Sequence, residues 1–254
     1  MLFARKSKSR KSFAYRCVAF IARPLVLLFT RRVWKGEEHL ETPGGIIVCS
    51  NHISNFDPLV LALFLNDNGR PPRFLAKYQV FKVPVFGAIL KAAGQIPVYR
   101  GTSDAANSLR DAEAAVRSGE TAVIYPEGTH TYDPNLWPMT GATGAARLAL
   151  STRVPLIPVA QWGAHNIISI EGKGLKLFPR QTTYVTAGAP VDFSDLYELP
   201  MDSVTLNSAT ERIMSAITTL LEEIRGESAP QYRWDRRRKP QSPNPETSTN
   251  EKED

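Results

Sequence analysis

Short apolar runs alternate with longer amphipathic stretches along most of the chain, and this alternation constrains the fold most strongly. Runs such as GGIIVCS (44–50) have the length and aliphatic content of buried strands. SDAANSLRDAEAAVRSG (103–119) instead has the apolar spacing of a helix. Strands that alternate with helices predict an α/β fold, with a central, mostly parallel or mixed sheet flanked by helices.

Gly, Pro and polar turns set the limits of the individual elements. A chain of 254 residues is within the size of one α/β domain. The prolines of PLIPVAQWG (155–163) are expected at the ends of its strand or on an irregular stretch. Strands are predicted over 44–50, 73–77, 95–100, 120–126, 155–163 and 182–190, and helices over 58–67, 84–94, 103–119, 144–152 and 203–226.

The composition changes at both ends of this α/β region. Residues 1–12 are basic and Ser-rich and are predicted to be a disordered arm, and residues 13–35 are predicted to form an amphipathic helical segment that precedes the domain. The globular domain is expected to span residues 36–226. Residues 227–254 are predicted to be a disordered tail, in which RWDRRRK (233–239) is either a second contact for lipid headgroups or a solvated stretch.

The positive charge is concentrated at the N-terminus. Ten basic residues precede the first acidic one, Glu37, whereas the other 21 of the 31 basic residues are outnumbered by 25 acidic ones. Such an arm could bind nucleic acid, bind an anionic membrane, or be solvated without a partner. Because aromatic and aliphatic residues interleave with the charges in FAYRCVAFIARPLVLLFTRRVW, we expect an anionic membrane surface and no nucleic acid.

The same segment is a poor match to a membrane span, because Arg23 and Pro24 interrupt it. It also lacks the small-residue cleavage site of a secretory signal. We therefore expect one or two short helices at the membrane interface; a helix simply packed on the domain is the alternative. Two cysteines with no metal-ligand spacing favour a reducing compartment, so the expected location is peripheral, at the cytoplasmic face of the cell membrane.

His52 and Asp57 are the first candidates for chemistry. His52 follows the strand 44–50, and functional sites of α/β sheets form beyond the carboxyl ends of the strands. A histidine is suited to proton transfer near neutral pH, and a carboxylate five residues later can hold its tautomer. The alternative is structural, since Asp57 before Pro58 also fits the N-cap of a helix and His52 could be an ordinary loop residue.

No G-x-S-x-G motif accompanies this histidine, and Cys49 lies within a predicted buried strand. A base without a protein nucleophile suits the deprotonation of a substrate alcohol, with direct transfer and no covalent intermediate on the protein. The four histidines lack metal-ligand spacing, and neither G-x-G-x-x-G nor a P-loop is present, so no metal or cofactor is expected.

IYPEGTH (124–130) is a second candidate, because a turn at a strand end could present Glu127 and several backbone N–H groups to a substrate. An ordinary turn is the alternative. Arg100 closes a predicted strand, where it could bind a phosphate or simply be exposed.

Taken in order, these segments resemble the glycerophospholipid acyltransferase family. The resemblance extends over about residues 35–200 and includes the stretch from Lys77 to Lys82. Its N-H-x-x-x-x-D motif is matched by NHISNFD (51–57), G-x-I-x-V-x-R by GQIPVYR (94–100), the aromatic-P-E-G-T motif by YPEGT (125–129), and the V-P-[LIV]-[IV]-P-V block by VPLIPV (154–159).

The resemblance implies an O-acyltransferase whose domain is residues 36–226, with His52 as general base and Asp57 as its orienting partner. Its partners would be a thioester of coenzyme A or acyl carrier protein and a lysophospholipid, 1-acyl-sn-glycerol-3-phosphate, which gives phosphatidic acid. The alternatives are an acyltransferase of another acceptor (glycerol phosphate, another lysophospholipid or a glycolipid) and an inactive membrane-bound scaffold. The implied substrate-binding residues are Arg100, Glu127, Gly128, Thr129, Lys77 and Lys82, and the 154–159 block would shape the acyl-chain pocket and core.

Two positions depart from the family pattern. His130 stands where relatives carry an arginine, and Thr140 lies in a loop where relatives commonly carry a lysine. Two cations that could neutralise a phosphate are therefore absent, which leaves Arg100, Lys77 and Lys82 for that role.

Overall fold

The computed structural model describes residues 13–99, 105–169 and 174–238. The predicted arm 1–12, Arg100 and residues 239–254 of the predicted tail lie outside them. The strands are β1 (Thr30–Lys35), β2 (Ile46–Ser50), β3 (Pro72–Lys77), β4 (Ile96–Val98), β5 (Thr121–Ile124), β6 (Leu156–Trp162) and β7 (Gln181–Ala187). The α-helices are α1 (Phe13–Phe29), α2 (Asp57–Asp67), α3 (Phe86–Ala92), α4 (Ala105–Arg117), α5 (Gly144–Thr152) and α6 (Ser203–Arg225).

The strands form one sheet in the order β1-β7-β6-β2-β5-β3-β4. Neighbouring strands are parallel except β6 and β7, which are antiparallel. Helices cover both faces: α4, α5 and α6 pack on one apolar cluster, and α1 and α2 contribute to the other. The predicted mostly parallel α/β domain is confirmed.

β2 and β6 lie at the centre of the sheet, which explains their continuous apolar sequences. All five residues of β2 are buried, and in β6 every residue before Trp162 is buried. The 154–159 block therefore supplies core side chains from both sides of one strand, among them Leu156 and Ile157.

Pro158 corrects the prediction for this strand, because it lies inside β6, opposite Cys49 of β2. The ladder between β6 and β7 begins one residue later, at Val159. Beyond that ladder the Pro158 carbonyl still accepts a hydrogen bond from the backbone of Gly188 (2.8 Å). A proline is tolerated there because its missing N–H falls where no partner strand needs a donor.

The segment 13–35 is only partly helical. α1 ends at Phe29, and residues 30–35 form β1, the edge strand parallel to β7. Arg31 and Arg32 are exposed on this strand, and charged side chains are typical of a protected sheet edge. Trp34 points inward onto Phe64, with ring centroids 5.3 Å apart. The sheet thus begins at β1, ahead of residue 36, and α1 packs on it through buried Val26.

The tail prediction also differs from the structure over residues 227–238, which fold back onto the domain. The backbone N–H of Ala229 donates to Glu222 (2.7 Å), and Arg233 contacts Glu211 of α6. Farther along, the carbonyl of Trp234 accepts the backbone N–H of Thr140 (2.9 Å). Across the described part of the chain, no helix is long and apolar enough to cross a membrane.

Candidate active site

His52 and Asp57 face each other in the loop that joins β2 to α2. Asp57 is fully buried, and its Oδ2 lies 2.9 Å from Nδ1 of His52. The same oxygen accepts the backbone N–H groups of Ile53 (2.6 Å) and Ser54 (2.7 Å). The opposite ring nitrogen of His52, Nε2, makes no hydrogen bond with any described residue.

The alternative role of Asp57 as a helix cap is not what the structure shows. The N-cap position of α2 is Phe56, no side chain caps that helix, and Asp57 is its first helical residue. Its carboxylate turns back to the histidine loop because three donors converge there, which no N-cap geometry offers.

Long-range hydrogen bonds hold the His52 loop in place. The side-chain amide of Asn51 donates to the carbonyl of Gln161 (3.0 Å) and accepts its backbone N–H (2.8 Å). The hydroxyl of Ser54 donates to the carbonyl of Ile168 (2.6 Å) and accepts the N–H of Phe56 (3.0 Å). The loop is therefore fixed to β6 and to the segment after it.

Glu127 lies in the turn after β5 and is only 1% exposed. Its carboxylate accepts the backbone N–H of His52 (3.2 Å) and of Met139 (2.9 Å). Burial raises the pKa of Glu127 to about 8, and the two N–H donors act in the opposite direction. Because the side chain faces the protein's own backbone, Glu127 positions the His52 loop.

The residues after Glu127 complete the turn. Gly128 has φ +77° and donates its N–H to the carbonyl of Tyr125 (2.9 Å), a conformation that favours glycine. Thr129 follows, half-buried, at the carboxyl edge of the sheet.

Two rings that sequence reasoning did not assign to the site lie against His52. The Tyr125 ring is stacked on the imidazole, with centroids 4.1 Å apart and an interplanar angle of 17°. The His130 ring lies 4.0 Å away, tilted by 40°. Burial lowers the pKa of His130 to about 4, and the nearby His52 charge adds to this effect. His130 is therefore neutral near pH 7.

The predicted phosphate-binding lysines lie at the same carboxyl edge of the sheet. Lys77 ends β3 and is exposed, and Lys82 is exposed with its Nζ 5.1 Å from the centre of the Tyr78 ring. Within the ranges that the structure describes, neither lysine forms an ion pair. Thr140 lies in the loop where relatives commonly carry a lysine. It contacts the C-terminal segment, because the backbone N–H of Arg236 donates to the Thr140 hydroxyl (3.1 Å).

Comparisons with known proteins identify a family to which the sequence is similar. A family model described as Acyltransferase matches residues 31–162, about half of the chain. A 1-acyl-sn-glycerol-3-phosphate acyltransferase from Cocos nucifera is 31% identical over 123 residues, which are 48% of this chain and 38% of that protein. A chloroplastic 1-acyl-sn-glycerol-3-phosphate acyltransferase from Brassica napus is 28% identical over 130 residues, 51% of this chain and 36% of that protein. The chain thus spans about a third of the length of these curated relatives.

A solved structure shares the fold. It is the crystal structure of the 1-acyl-sn-glycerophosphate acyltransferase PlsC from Thermotoga maritima, with a TM-score of 0.63 and 22% sequence identity. The superposition covers 85% of this chain and 81% of that chain.

Proposed function

The chain belongs to the acyltransferase family, and from that premise we propose that it transfers a fatty acyl group from a thioester to the free hydroxyl of a lysophospholipid. The acceptor we propose is 1-acyl-sn-glycerol-3-phosphate, with phosphatidic acid as the product. The donor is an acyl thioester of coenzyme A or of acyl carrier protein.

One observation carries the proposal: Asp57 binds Nδ1 of His52, and no serine, threonine or cysteine side chain hydrogen-bonds to Nε2 among the described residues. Asp57 binds Nδ1 and leaves Nε2 for a substrate proton. Cys49 is fully buried, and burial raises the pKa of its thiol. Ser54 uses its hydroxyl to hold the loop. An alcohol on the substrate is then the group that the base activates.

The transfer follows from this geometry in two steps. Nε2 of His52 takes the proton of the acceptor hydroxyl while its oxygen attacks the thioester carbonyl. The tetrahedral intermediate collapses to the ester, the C–S bond breaks, and the imidazolium returns the proton to the leaving thiolate. Asp57 stabilises the imidazolium between the two steps.

The names of the relatives and the cations at the sheet edge support the acceptor. Both relatives described above are 1-acyl-sn-glycerol-3-phosphate acyltransferases. Lys77 and Lys82 are unpaired within the described residues and stand at the edge where His52 lies. Lysines placed in this way can neutralise a phosphate as point charges.

The test is acylation of a panel of acceptors by the purified protein in detergent, with each thioester donor. The panel contains lysophosphatidate, glycerol phosphate, a neutral lysophospholipid and a glycolipid. We expect lysophosphatidate to have the highest kcat/KM and His52→Ala to lose roughly 10³-fold or more in rate. His39→Ala, which removes a histidine from a surface turn, is the matched control and should retain the wild-type rate.

Each other outcome has a defined meaning. If another panel member has the highest kcat/KM, that compound replaces lysophosphatidate as the proposed acceptor. A wild-type rate in His52→Ala would exclude base catalysis by this residue. If the wild-type protein acylates nothing, the inactive scaffold is the better reading.

We also propose that the protein acts while bound peripherally to an anionic membrane surface, at the cytoplasmic face of the cell membrane. α1 contacts α3, and both present apolar side chains to solvent. We call the exposed apolar side chains of α1, of α3 and of the turn before α3 the apolar surface; they are Phe20, Leu28, Val83, Val85, Phe86 and Ile89. Arg16 and Lys91 are exposed on the same two helices and would be attracted to anionic lipid.

Point substitutions test this location better than a deletion, because Val26 of α1 is buried in the core and β1 begins at Thr30. The double variant Val85→Asp/Phe86→Asp should reduce sedimentation with anionic liposomes, more strongly at low salt. Val204→Asp is the matched control, since Val204 is 75% exposed on α6 and Val85 is 76% exposed. Equal sedimentation of all three proteins would reject the membrane role of the apolar surface.

A further inference from the structure

The His52 imidazole lies between two rings. Tyr125 and His130 each lie about 4 Å from it, yet they make no ring contact with each other among the described residues. A ring whose centroid is only about 4 Å away is too close to lie at the edge of the imidazole, and two rings that do not touch each other cannot share one face, so Tyr125 and His130 lie on opposite faces. The base is therefore enclosed on both faces, and only its edge remains available.

The sheet register brings the first of these rings into place. Cys49 of β2 lies beside Ile124 of the parallel strand β5, so the loops that follow these two strands leave the sheet side by side. His52 then follows three residues after Cys49, and Tyr125 follows directly after Ile124. On its far side Tyr125 stacks on Phe74, with centroids 6.2 Å apart and an angle of 14°. The Tyr125 ring is thus fixed from both sides.

Backbone hydrogen bonds fix the second ring relative to the first. The carbonyl of His52 accepts the N–H of Thr131 (2.9 Å), the residue that follows His130. The N–H of His52 in turn donates to Glu127, two residues after Tyr125. One short segment, 125–131, therefore holds both the backbone of His52 and the two rings beside its side chain.

The hydrogen bond to Asp57 alone leaves the plane of the imidazole loosely set. The torsion that rotates a histidine ring has broad minima, and one bond at Nδ1 permits the ring to rock about that contact. A catalytic group displaced by about 1 Å loses roughly 10²-fold in rate. Flanking rings at van der Waals distance remove this freedom.

We propose that Tyr125 is a positioning residue for the base: its ring, opposed by that of His130, holds the His52 imidazole with Nδ1 toward Asp57 and Nε2 toward the acceptor hydroxyl. The inference rests on the proposed function, because it assumes that His52 acts on an acceptor alcohol. The ring of Tyr125 has this role, and its hydroxyl does not.

Two substitutions separate the ring from the hydroxyl. Tyr125→Phe keeps the ring and should retain kcat within about threefold, whereas Tyr125→Leu should lose about 10- to 100-fold in kcat. The KM for the acceptor should change less than about threefold in both variants, because the positioning role assigns Tyr125 a contact with the base and none with the acceptor. Tyr197→Leu removes a ring that stacks with Arg153, away from the site, and should keep the wild-type kcat.

A spectroscopic readout needs no substrate. The ¹⁵N spectrum of the imidazoles, with His52 assigned by comparison with His52→Gln, reports which ring nitrogen carries the proton. The wild-type protein and Tyr125→Phe should show a single His52 tautomer with the proton on Nδ1, and Tyr125→Leu a mixture of tautomers. If Tyr125→Leu does not fold, His130→Ala opens the other face of the imidazole and should show the same mixture and the same loss of kcat.

The results separate this inference from the proposed function. An equal loss of kcat in Tyr125→Phe and Tyr125→Leu, a wild-type kcat in Tyr125→Leu, or a single tautomer in both Tyr125→Leu and His130→Ala would each overturn the positioning role. If the wild-type protein acylates no acceptor, the proposed function fails while the spectra still decide the role of Tyr125.

Discussion

Two segments at the carboxyl edge of the sheet are built in opposite ways. In the loop after β2, the polar groups turn inward, and three donors converge on one oxygen of Asp57. In the turn before α3, Val85 has φ +62° and ψ −57°, and the N–H of Phe86 donates to the carbonyl of Pro84 (2.6 Å). That hydrogen bond closes a γ-turn of the strained type, and the Val85 side chain is exposed.

The difference corresponds to the two tasks that we propose for this protein, acyl transfer and contact with a membrane. Chemistry needs one geometry held before the substrate arrives, so the first segment satisfies its polar groups within the protein. The proposed contact with a membrane would need apolar side chains turned toward the solvent, and the second segment exposes Val85 from a strained backbone conformation.

The largest expected effect follows from Asp57→Asn in the first segment. A neutral amide cannot stabilise an imidazolium, and its NH2 group can donate to Nδ1 and so favour the wrong tautomer of His52; kcat should therefore fall roughly 10³-fold. Steady-state rates at saturating substrate measure it. Asp67→Asn, at the other end of α2, loses ion pairs with Arg23 and Arg32 on the surface and should keep the wild-type kcat. A loss of less than tenfold in Asp57→Asn would mean that Asp57 does not orient the base.

A pH-dependent effect is expected at Glu127. Its pKa is raised to about 8 in the folded protein, above the usual carboxyl value of 4.5, so the folded state holds a proton that the unfolded state releases between these values. The stability of the wild-type protein should therefore fall as the pH rises from about 4.5 to 8. The limiting slope for one proton is about 1.4 kcal/mol per pH unit.

Glu127→Gln removes this titration, so its free energy of unfolding should depend less on pH across the same window. Urea denaturation at several pH values measures the difference. Glu120→Gln, which alters a partly exposed ion pair with Arg73, is the control and should keep the wild-type slope. Parallel curves for the wild type and Glu127→Gln would show that Glu127 stays ionised throughout.

Local signals in the sequence predicted much of the fold. The interval 144–152 coincides with α5, and 203–226 differs from α6 by one residue. α6 has recognisable ends, because Asp202 accepts the N–H of Thr205 and Gly226 adopts φ +66°. β1 was missed because its pairing is with β7, about 150 residues away, and its own sequence continues the basic, apolar pattern of α1.

In the candidate site, too, contacts between residues close in sequence could be predicted, and contacts between distant segments could not. His52 and Asp57 are five residues apart, so their meeting required only a loop and could be predicted. Tyr125 reaches His52 through the register of β2 and β5, and Gln161 holds Asn51 across the neighbouring strand pair. Such contacts depend on which strands are neighbours, which no local spacing contains.

The smallest expected effect concerns the strain in the turn before α3. Glycine adopts positive φ readily, so Val85→Gly should relieve strain of about 1–3 kcal/mol while it loses roughly 0.5–1 kcal/mol through the freer unfolded chain. We expect a net stabilisation of about 1 kcal/mol by chemical denaturation. Val83→Gly is the matched control, because Val83 is also exposed but has φ −67°, so it has no strain to release and should be destabilised. If both variants lose the same stability, the Val85 turn stores no strain and the contrast with the Asp57 loop rests on exposure alone.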